Sequence, residues 1–449
     1  MNVKELHTDI AQAIEKIGFT TFTDIQEQTI PLILQGHDVL GHSATGSGKT
    51  AAFGLPILQM IHEHDTGGIQ ALILTPTREL CVQVTDALVD FAQFTNISVT
   101  SVYGGVGYEP QKKALKRSQV VVATPGRLLD HINQNTVDLS RVRFSILDEA
   151  DKMLEMGFLD DVEKIMTMLR KKRQTLFFSA TMPPPIRRLT KKILNNPHEV
   201  TSNVFVDKSK LTQVYYDTSS REKFSLLVHL LKKNPQGLSL IFCATRREVD
   251  ILCANLKEQG VKAIPIHGGL TQNKRLKAIE LLKNEQVHIL VATDVAARGL
   301  DIKNVQFVYN YDVPKSEQDY LHRIGRTARA GEKGAAITLL AHRDHESFEK
   351  IYSDSISKVD VPTVPKVFFD RNLKIKDDSR TPQHSQKRRF SRERNTSQRS
   401  RRSSSPRRFG ESQKRSESRD SSRRSNAGFK EKRQRSSSHK QRRFATARR

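Results

Sequence analysis

The chain has 449 residues, too many for one ordinary domain, and 37% of them are apolar, enough to form buried cores. Its formal net charge of +25 comes almost entirely from residues 371–449, which hold 28 Lys and Arg against 7 Asp and Glu. A basic surplus of this size predicts a polyanionic partner, either nucleic acid or an anionic membrane surface.

The sequence carries no sign of secretion or of a membrane span. The first residues, MNVKELHTDI, lack the apolar run of a signal peptide, and no apolar stretch approaches the roughly 18–20 residues that cross a bilayer. We therefore expect a cytoplasmic protein without a membrane partner. Cys81, Cys243 and Cys253 form neither a paired framework nor a CxxC site, which favours buried thiols in a reducing compartment over a metal or redox role.

Short apolar runs alternate with amphipathic stretches in two successive regions of the chain. The runs lie at 71–74, 120–123, 144–147 and 175–178, and then at 238–242, 263–266, 288–292 and 305–309. Such runs between helix-like segments predict parallel sheets buried on both faces, with ligands at the carboxyl ends of the strands. The sequence thus predicts an α/β domain at 1–205, a polar hinge linker at 206–212 and a second α/β domain at 213–366.

Residues 367–449 form a separate C-terminal segment, the tail. Ser, Arg and Lys dominate it, and so little apolar surface cannot offset the conformational entropy of the chain. We expect this tail to be disordered.

Residues 43–50 (SATGSGKT) follow a predicted strand at 38–40 and precede a predicted helix that begins at Thr50. A phosphate-binding loop requires this context, because small residues let backbone N–H groups surround phosphates at a helix N-terminus. Lys49 would neutralise the β- and γ-phosphates, and Thr50 would hold Mg²⁺. The GxxxxGK[ST] pattern fails at its first position, where Ser43 stands, so a Gly-rich turn with a solvated lysine is the alternative.

Residues 148–151 (DEAD) follow the apolar run at 144–147. At the end of a strand, Asp148 can bind Mg²⁺ while Glu149 activates the attacking water. An acidic tetrapeptide alone is more often a solvated helix start, but its position about 100 residues after a phosphate loop reverses that preference. Together the two motifs predict a hydrolytic NTPase.

Residues 322–329 (HRIGRTAR) place arginines at positions 323, 326 and 329, which would share one face of a helix. Such a cluster can reach a γ-phosphate across a cleft as arginine fingers. A surface ion-pair network is an equally good interpretation of this segment alone.

Taken in order, these motifs resemble those of the DEAD-box ATP-dependent RNA helicases of superfamily 2, over about residues 1–365. The other matching segments are 18–19 (GF), 23–26 (TDIQ), 76–80 (PTREL), 104–105 (GG), 124–127 (TPGR), 179–181 (SAT), Phe242, 272–275 (QNKR) and 293–301 (TDVAARGLD). The compact body favours a bacterial-type member, whereas the Ser-Arg tail also fits a nuclear protein.

The resemblance implies two tandem RecA-like domains that bind ATP and Mg²⁺ between them. It implies metal binding by Thr50 and Asp148, catalysis by Lys49, Asp148, Glu149, Arg326 and Arg329, and coupling of hydrolysis to domain movement by Ser179 and Thr181. The other nucleotide-binding residues that it implies are Phe19, Gln26 (for adenine), Ser43, Ala44, Thr45, Gly46, Ser47, Gly48 and Asp301 (for the ribose).

The resemblance also implies a path for the RNA backbone, lined by Pro76, Thr77, Arg78, Gly105, Thr124, Arg127 and Thr293. Backbone N–H groups, hydroxyls and arginines contact phosphate and sugar without reading the base sequence, and contact with the 2′-hydroxyl would favour RNA over DNA. The sequence indicates no particular ribosomal or mRNA-decay partner.

Three positions depart from the family pattern. Phe22 replaces a usual Pro, Ser43 a usual Ala and Ala328 a usual Gly. The aromatic residue that the family places upstream of the Gln would fall near Met1, so we expect an adenine stack that is weaker than usual or absent. None of these departures removes a charge or a nucleophile, so they bear on ATP affinity rather than on activity.

The tail contains three copies of Arg-Arg-Phe, which contribute the candidate RNA-binding residues Arg388, Phe390, Arg407, Phe409, Arg442 and Phe444. Basic residues interleaved with single aromatic rings suit single-stranded RNA, with charges on phosphates and rings on bases. The alternative is a solubilising basic tail in which the Phe residues are incidental.

The sequence therefore predicts a helicase that closes on ATP and single-stranded RNA, unwinds short duplexes or remodels RNA–protein complexes, and hydrolyses ATP. Two alternatives stay open: a DNA-translocating helicase on the same fold, and an RNA-binding scaffold or chaperone in which hydrolysis is minor.

Overall fold

The computed structural model describes residues 6–43, 46–201, 210–235, 237–297, 302, 304–328, 332–353 and 355–373. Within these ranges the chain forms two parallel sheets of seven strands each, with helices packed on both faces. The predicted α/β class with two tandem parallel-sheet domains is confirmed. The tail from residue 374 onward lies outside the described residues.

The first domain has the sheet order β3-β4-β2-β5-β6-β1-β7. Its strands are β1 (Val39–His42), β2 (Ala71–Leu74), β3 (Val99–Val102), β4 (Val120–Ala123), β5 (Phe144–Leu147), β6 (Gln174–Ser179) and β7 (His198–Thr201). Its helices are α1 (Thr8–Lys16), α2 (Asp24–Leu34), α3 (Lys49–Glu63), α4 (Arg78–Phe91), α5 (Tyr108–Leu115), α6 (Pro125–Asn133), α7 (Ala150–Glu155), α8 (Leu159–Met168) and α9 (Pro184–Ile193).

The second domain has the order β10-β11-β9-β12-β13-β8-β14. Its strands are β8 (Leu211–Asp217), β9 (Ser239–Phe242), β10 (Ala263–Ile266), β11 (Ile289–Ala292), β12 (Phe307–Asn310), β13 (Gly334–Leu340) and β14 (Ser357–Lys358). Its helices are α10 (Lys223–Lys233), α11 (Arg246–Glu258), α12 (Gln272–Lys283), α13 (Asp294–Ala297), α14 (Glu317–Ile324) and α15 (His345–Glu349).

The central strands are apolar throughout because both faces of each sheet are covered. In β2, Ala71 and Ile73 pack into one core cluster, while Leu72 and Leu74 pack into the cluster on the opposite face. Alternate side chains of a strand point to opposite faces, so a strand between two helix layers needs an apolar residue at every position.

The strand register brings the loops after neighbouring strands to one edge of each sheet. In the first domain, Leu74 at the end of β2 is level with Ala123 and Leu147, the last residues of β4 and β5. In the second domain, Phe242 is level with Ala292 and Asn310. The polar motifs that follow these strands therefore lie side by side at the carboxyl edges.

The structure contains strands that apolar runs do not indicate. Strands β3 and β7 lie at the edges of the first sheet and expose part of their surface, so their sequences mix polar and apolar residues. The predicted strand at 305–309 begins at Phe307, because Val305 packs from the preceding loop into the core cluster that contains Phe242 and Ile279.

Both predicted boundaries of the second domain need correction. Strand β8 begins at Leu211, inside the range assigned to the linker, and pairs with β13 along its whole length. At the other end, residues 361–370, here called the strap, continue past the predicted boundary at 366. They pack on the core cluster of the second domain that contains Phe224 and Leu252. The strap is fixed by hydrogen bonds of Val367 with Ser225 and of Asp370 with Asn255.

Phe369→Ala tests whether the strap belongs to the folded domain. Phe369 packs on Phe224 with ring centroids 5.0 Å apart, so its loss should lower the free energy of unfolding by about 1–3 kcal/mol. The matched control is Phe368→Ala, because that ring is 82% exposed and its removal should change stability by less than about 0.5 kcal/mol. Urea unfolding of the full chain measures both, and equal effects in the two variants would contradict the packing of the strap.

Candidate nucleotide and RNA site

The two domains enclose one large cleft, with a volume of about 1420 Å³. The first domain contributes Lys49, Asp148 and Glu149 to its lining, and the second contributes Arg326 and the start of β13 at Gly334. Phe19 and Gln26 line the same cleft. The structure thus brings together residues that the sequence analysis assigned to ATP from both halves of the chain.

The loop before α3 has the backbone geometry of a phosphate cradle. Gly46 and Gly48 adopt positive φ angles of 86° and 92°, and a Cβ at Gly48 would collide with the Gln26 amide. The Ser47 hydroxyl donates to the Ser43 hydroxyl at 3.1 Å, so the serine that breaks the sequence pattern helps to close the loop. Ala44 and Thr45 lie outside the described residues.

Lys49 connects this loop to the acidic motif. Its Nζ donates to the Ser43 carbonyl at 3.3 Å and lies 3.8 Å from Asp148 Oδ1. Asp148 is buried, and burial raises its pKa to about 6, although the Lys49 ammonium acts in the opposite direction. Asp148 Oδ1 accepts no hydrogen bond from the described residues. A buried carboxylate oxygen that faces the cleft without a donor suits a hard cation such as Mg²⁺.

Glu149 and Asp151 continue the acidic motif in different roles. Glu149 has a positive φ of 52° and lines the cleft, and α7 begins at the next residue. Asp151 Oδ2 accepts from the backbone N–H and the hydroxyl of Thr181 at 3.1 and 3.0 Å. The Ser179 hydroxyl accepts from the Asp151 N–H at 3.2 Å. The predicted coupling residues therefore contact the acidic motif directly.

Gln26 is attached to the phosphate loop. Its side chain donates from Nε2 to the Gly48 carbonyl at 3.0 Å and accepts from the Thr23 N–H at 2.9 Å. Each end of an amide side chain can make a further hydrogen bond, which leaves a second N–H and a second lone pair for a base. Phe19 packs edge-on against Phe91, with ring centroids 5.9 Å apart, and Phe22 packs partly into the same core.

The predicted arginine face does not form, which corrects the helical interpretation of residues 322–329. Helix α14 ends at Ile324, before Arg326. Arg323 is buried and donates to both carboxylate oxygens of Asp294, at 2.5 and 2.7 Å, so it is a structural residue of the second domain. Arg326 lines the cleft, whereas Arg329 lies outside the described residues, as does Asp301.

The predicted RNA-binding residues of the first domain follow β2, β3 and β4. Thr77 caps α4 by accepting from the Leu80 N–H, which places Arg78 at the start of the helix. The Arg78 guanidinium packs against Gly104 and Gly105, and a Cβ at Gly105 would collide with it. Pro76 precedes the same cap, in the loop after β2.

The loop after β4 leads into α6, with Thr124 at its N-cap position. Arg127, in the first turn of this helix, donates to the Val106 carbonyl at 3.2 Å and lies over the Tyr108 ring at 5.9 Å. Tyr108 stacks in parallel on the buried His131, with ring centroids 4.1 Å apart. The predicted RNA-binding groups of the first domain therefore occupy one edge, held by packing and hydrogen bonds.

Comparison with known proteins identifies the family. A model described as DEAD/DEAH box helicase matches residues 23–189, and one described as Helicase conserved C-terminal domain matches residues 222–331. The DEAD-box ATP-dependent RNA helicase CshA of Bacillus licheniformis is 44% identical over 363 residues, which cover 80% of this chain and 74% of that protein. The chain belongs to the DEAD-box RNA helicase family. CshA of Geobacillus kaustophilus is similar, at 45% identity over 76% of this chain and 73% of that protein.

Two solved structures show the same architecture as this DEAD-box helicase. Dbp5 of S. cerevisiae bound to RNA and ADP BeF3 is 30% identical with a TM-score of 0.73, and the match covers 80% of this chain and 96% of that chain. A DEAD box protein from the hyperthermophile Methanococcus jannaschii is 42% identical with a TM-score of 0.50, covering 80% and 99%. The RecA-like fold predicted for both domains is thereby confirmed.

The protein is an ATP-dependent RNA helicase and an RNA-stimulated ATPase, as predicted, and the similar structure of Dbp5 contains bound RNA. Its bacterial type is also confirmed by the relatives from Bacillus. None of the helices in the described ranges has the length and apolar character that a membrane span requires.

The DEAD-box helicase also contains an arrangement in its second domain that the sequence analysis missed. Thr245 caps α11 as Thr77 caps α4, and the Arg246 guanidinium packs against Gly268 as that of Arg78 packs against Gly104. The strand orders of the two sheets place β9 and β10 at the positions of β2 and β3. The sequence signal for this arrangement is a repeated pattern, with Thr-Arg after one strand and Gly-Gly after the next, at 77–78 and 104–105 and again at 245–246 and 268–269.

Several contacts join the two domains of the helicase. Glu79, next to Arg78, is buried and bonded by Gln272 Nε2 and Arg275 Nη2 of the second domain, each at 2.9 Å. Elsewhere, Lys152 Nζ lies 2.7 Å from His322 Nδ1. These contacts link the predicted RNA-binding motif at Arg78 and the acidic motif of the first domain to the second domain.

Proposed function

We propose that ATP binds and is hydrolysed in the cleft between the domains, by residues that both domains supply. The observation that carries this proposal is the shared lining of one cleft by the phosphate loop, the acidic pair Asp148 and Glu149, and Arg326 of the opposite domain. An NTPase needs a phosphate cradle, a water-activating carboxylate and a cation for the charge on the transferred phosphoryl group. Each of these faces the same space.

The roles follow from the chemistry of each side chain. Lys49 binds the β- and γ-phosphates, Glu149 accepts a proton from the attacking water, and Arg326 stabilises charge at the γ-phosphate. Asp148 and Thr50 hold Mg²⁺, which neutralises phosphate oxygens when it is bound. The unpartnered Asp148 Oδ1 supports that assignment. Arg329 as a second finger and Asp301 at the ribose stay predictions.

Hydrolysis is coupled to domain movement through Thr181. Its hydroxyl and N–H bind Asp151 of the acidic motif, and Gln318 Nε2 of the second domain donates to the same hydroxyl at 3.4 Å. A change at the γ-phosphate can therefore reach the second domain through Asp151, Thr181 and Gln318. Dbp5 bound to RNA and ADP BeF3 superposes on both domains of this chain, which supports a closed state with this arrangement.

Glu149→Gln tests the assignment of the water-activating residue. We expect RNA-stimulated ATP hydrolysis to fall by about 10²-fold or more, because the amide cannot accept the proton, while ATP and RNA stay bound in a trapped complex. Steady-state hydrolysis with single-stranded RNA, matched DNA and no nucleic acid, together with RNA release, measures this. The control is Glu163→Gln, which removes only a surface ion pair with Lys192. Hydrolysis in Glu149→Gln close to that of the control would contradict the role of Glu149.

We propose that Arg246 and the adjacent Gly268 extend the RNA path into the second domain. Arg78 and Arg246 occupy equivalent places at the starts of α4 and α11, each packed over glycine backbone at a carboxyl edge. Such positions present guanidinium and backbone N–H groups to phosphates. RNA bound at the carboxyl edges of both sheets must follow a path set by the relative position of the two domains. When that position changes, the RNA backbone bends, and a regular duplex cannot follow it without strain.

Arg246→Ala should weaken RNA binding uniformly across base sequences and reduce the slope of log affinity against log salt by about 1, as the loss of one phosphate contact does. Arg247→Ala is the matched control, because Arg247 is the next residue and is also exposed. RNA titration of both variants at several salt concentrations measures the effect. An unchanged slope in Arg246→Ala, or the same loss in Arg247→Ala, would exclude a specific phosphate contact.

We propose that the basic tail raises the local concentration of RNA at the helicase domains. A chain ending at residue 373 should need at least about tenfold more RNA for half-maximal ATPase stimulation, with the same rate at saturating RNA. Substituting Phe390, Phe409 and Phe444 by Leu keeps the charge and removes the rings. An intermediate loss indicates base stacking, whereas wild-type behaviour indicates charge alone. An unchanged RNA requirement after truncation would contradict tethering.

We also propose that the helicase works in the cytoplasm. Cys81, Cys243 and Cys253 are buried and unpaired, which fits a reducing compartment. Burial raises the pKa of Cys81 to about 12 and those of the other two thiols as well, so they are poor nucleophiles.

A further inference from the structure

Two histidines and an aspartate at the ends of two helices converge on the surface of the first domain, away from the cleft. His7 is the N-cap residue of α1, Asp9 lies in its first turn, and His62 lies in the last turn of α3. One ligand atom from each residue lies within 4.8 Å of the other two. His62 Nε2 is 3.0 Å and His7 Nδ1 is 3.9 Å from Asp9 Oδ2.

The separations fit a bound metal ion. Two imidazole nitrogens and one carboxylate oxygen form a common protein ligand set for Zn²⁺, with bonds of about 2.0–2.2 Å. In tetrahedral geometry such ligands lie about 3.4 Å apart, between the two distances to Asp9 Oδ2. Small side-chain rotations would therefore bring all three onto one ion. The side chains are 24–37% exposed, so an ion can enter and water can complete its shell.

The Nδ1 lone pair of His7 accepts a hydrogen bond that a metal ion at this nitrogen would replace. His7 Nδ1 accepts from the Asp9 N–H at 3.3 Å, so this nitrogen carries the lone pair in the neutral ring. The rings of His7 and His62 lie edge to face with centroids 4.5 Å apart, and both adjoin the Asp9 carboxylate. A hydrogen-bonded His–Asp pair accounts for His62 and Asp9, and the N-cap hydrogen bond accounts for His7, so what favours a metal ion is the convergence of all three ligand atoms.

We propose that His7, Asp9 and His62 bind one Zn²⁺ or a similar late first-row divalent ion. The site is distinct from the ATP site, because His62 lies about 20 Å along α3 from Lys49 at 1.5 Å per residue. The ion would join α1 to α3, which are already connected by the His7 N–H and Gln59 Oε1 at 3.1 Å.

The consequence of metal binding is structural. Helix α1 leads directly to Ile17 and Phe19, which line the nucleotide cleft, so the ion would fix the segment that carries them. A ligand that binds the folded state alone stabilises it in proportion to the logarithm of its concentration. We therefore expect higher thermal stability of the first domain and no part in the hydrolytic step.

Titration of tag-free, EDTA-treated full-length protein with Co²⁺ and then Zn²⁺, without nucleotide, tests the site. The wild type should bind one Co²⁺ with the visible absorption of a nitrogen- and oxygen-ligated ion, and Zn²⁺ should displace it. Zn²⁺ at a hundredfold excess over its Kd should raise the Tm by about 4 °C or more. His62→Gln and Asp9→Asn should each weaken binding by more than about tenfold.

His64→Gln is the matched control, because it removes a histidine two residues away that lies outside the cluster. It should bind both ions as the wild type does. Two results would overturn the proposal: no stoichiometric ion on the wild type, or the same affinity and Tm shift in His62→Gln as in the wild type. The second result would place any bound ion elsewhere on the chain.

Discussion

The buried carboxylate of Glu79 is the constraint that ties the two domains together. Glu79 is 1% exposed. Its carboxylate is removed from water, and a hydrogen bond from Gln272 and an ion pair with Arg275, both from the second domain, replace the lost hydration. Such a buried pair is close to energetic balance, because desolvation offsets most of the attraction. This contact therefore adds little net free energy to closure, and ligands with different affinities for the open and closed states can control the equilibrium between them. Since Glu79 is adjacent to Arg78, RNA bound along the proposed path would contact the chain next to this buried ion pair.

The nucleotide end of the cleft follows the same electrostatic principle. Asp148 is desolvated, its pKa is raised, and its Oδ1 has no hydrogen-bond donor among the described residues. Lys49 at 3.8 Å neutralises it only in part. In the proposed mechanism, a cation beside Asp148 and a triphosphate in the cleft would supply the charge that Lys49 does not. A different ligand would then complete each end of the interface, which would make hydrolysis respond to RNA.

The sequence was most informative where burial leaves little choice of residue. Strands such as 71–74 are apolar at every position because helices cover both faces, whereas β3 at the edge mixes polar and apolar residues and was not predicted. The three-residue spacing of the arginines predicted a shared helical face, but α14 ends at Ile324, and Arg323 turns inward to Asp294. The contact of Glu79 with Arg275 joins distant parts of the chain, and no local pattern carries that information.

The two domains repeat one topology, but only the first carries the phosphate loop and the acidic pair. In both domains a Thr-capped helix follows a central strand and directs an arginine over glycine backbone, as Arg78 and Arg246 show. The phosphate loop and the acidic pair belong to the first domain, while the second supplies Arg326 to the cleft. In the proposed RNA path, both arginines contact phosphates rather than base edges, so binding would be independent of base sequence. The two sheet edges would then select the path of the RNA backbone, and domain closure would change that path.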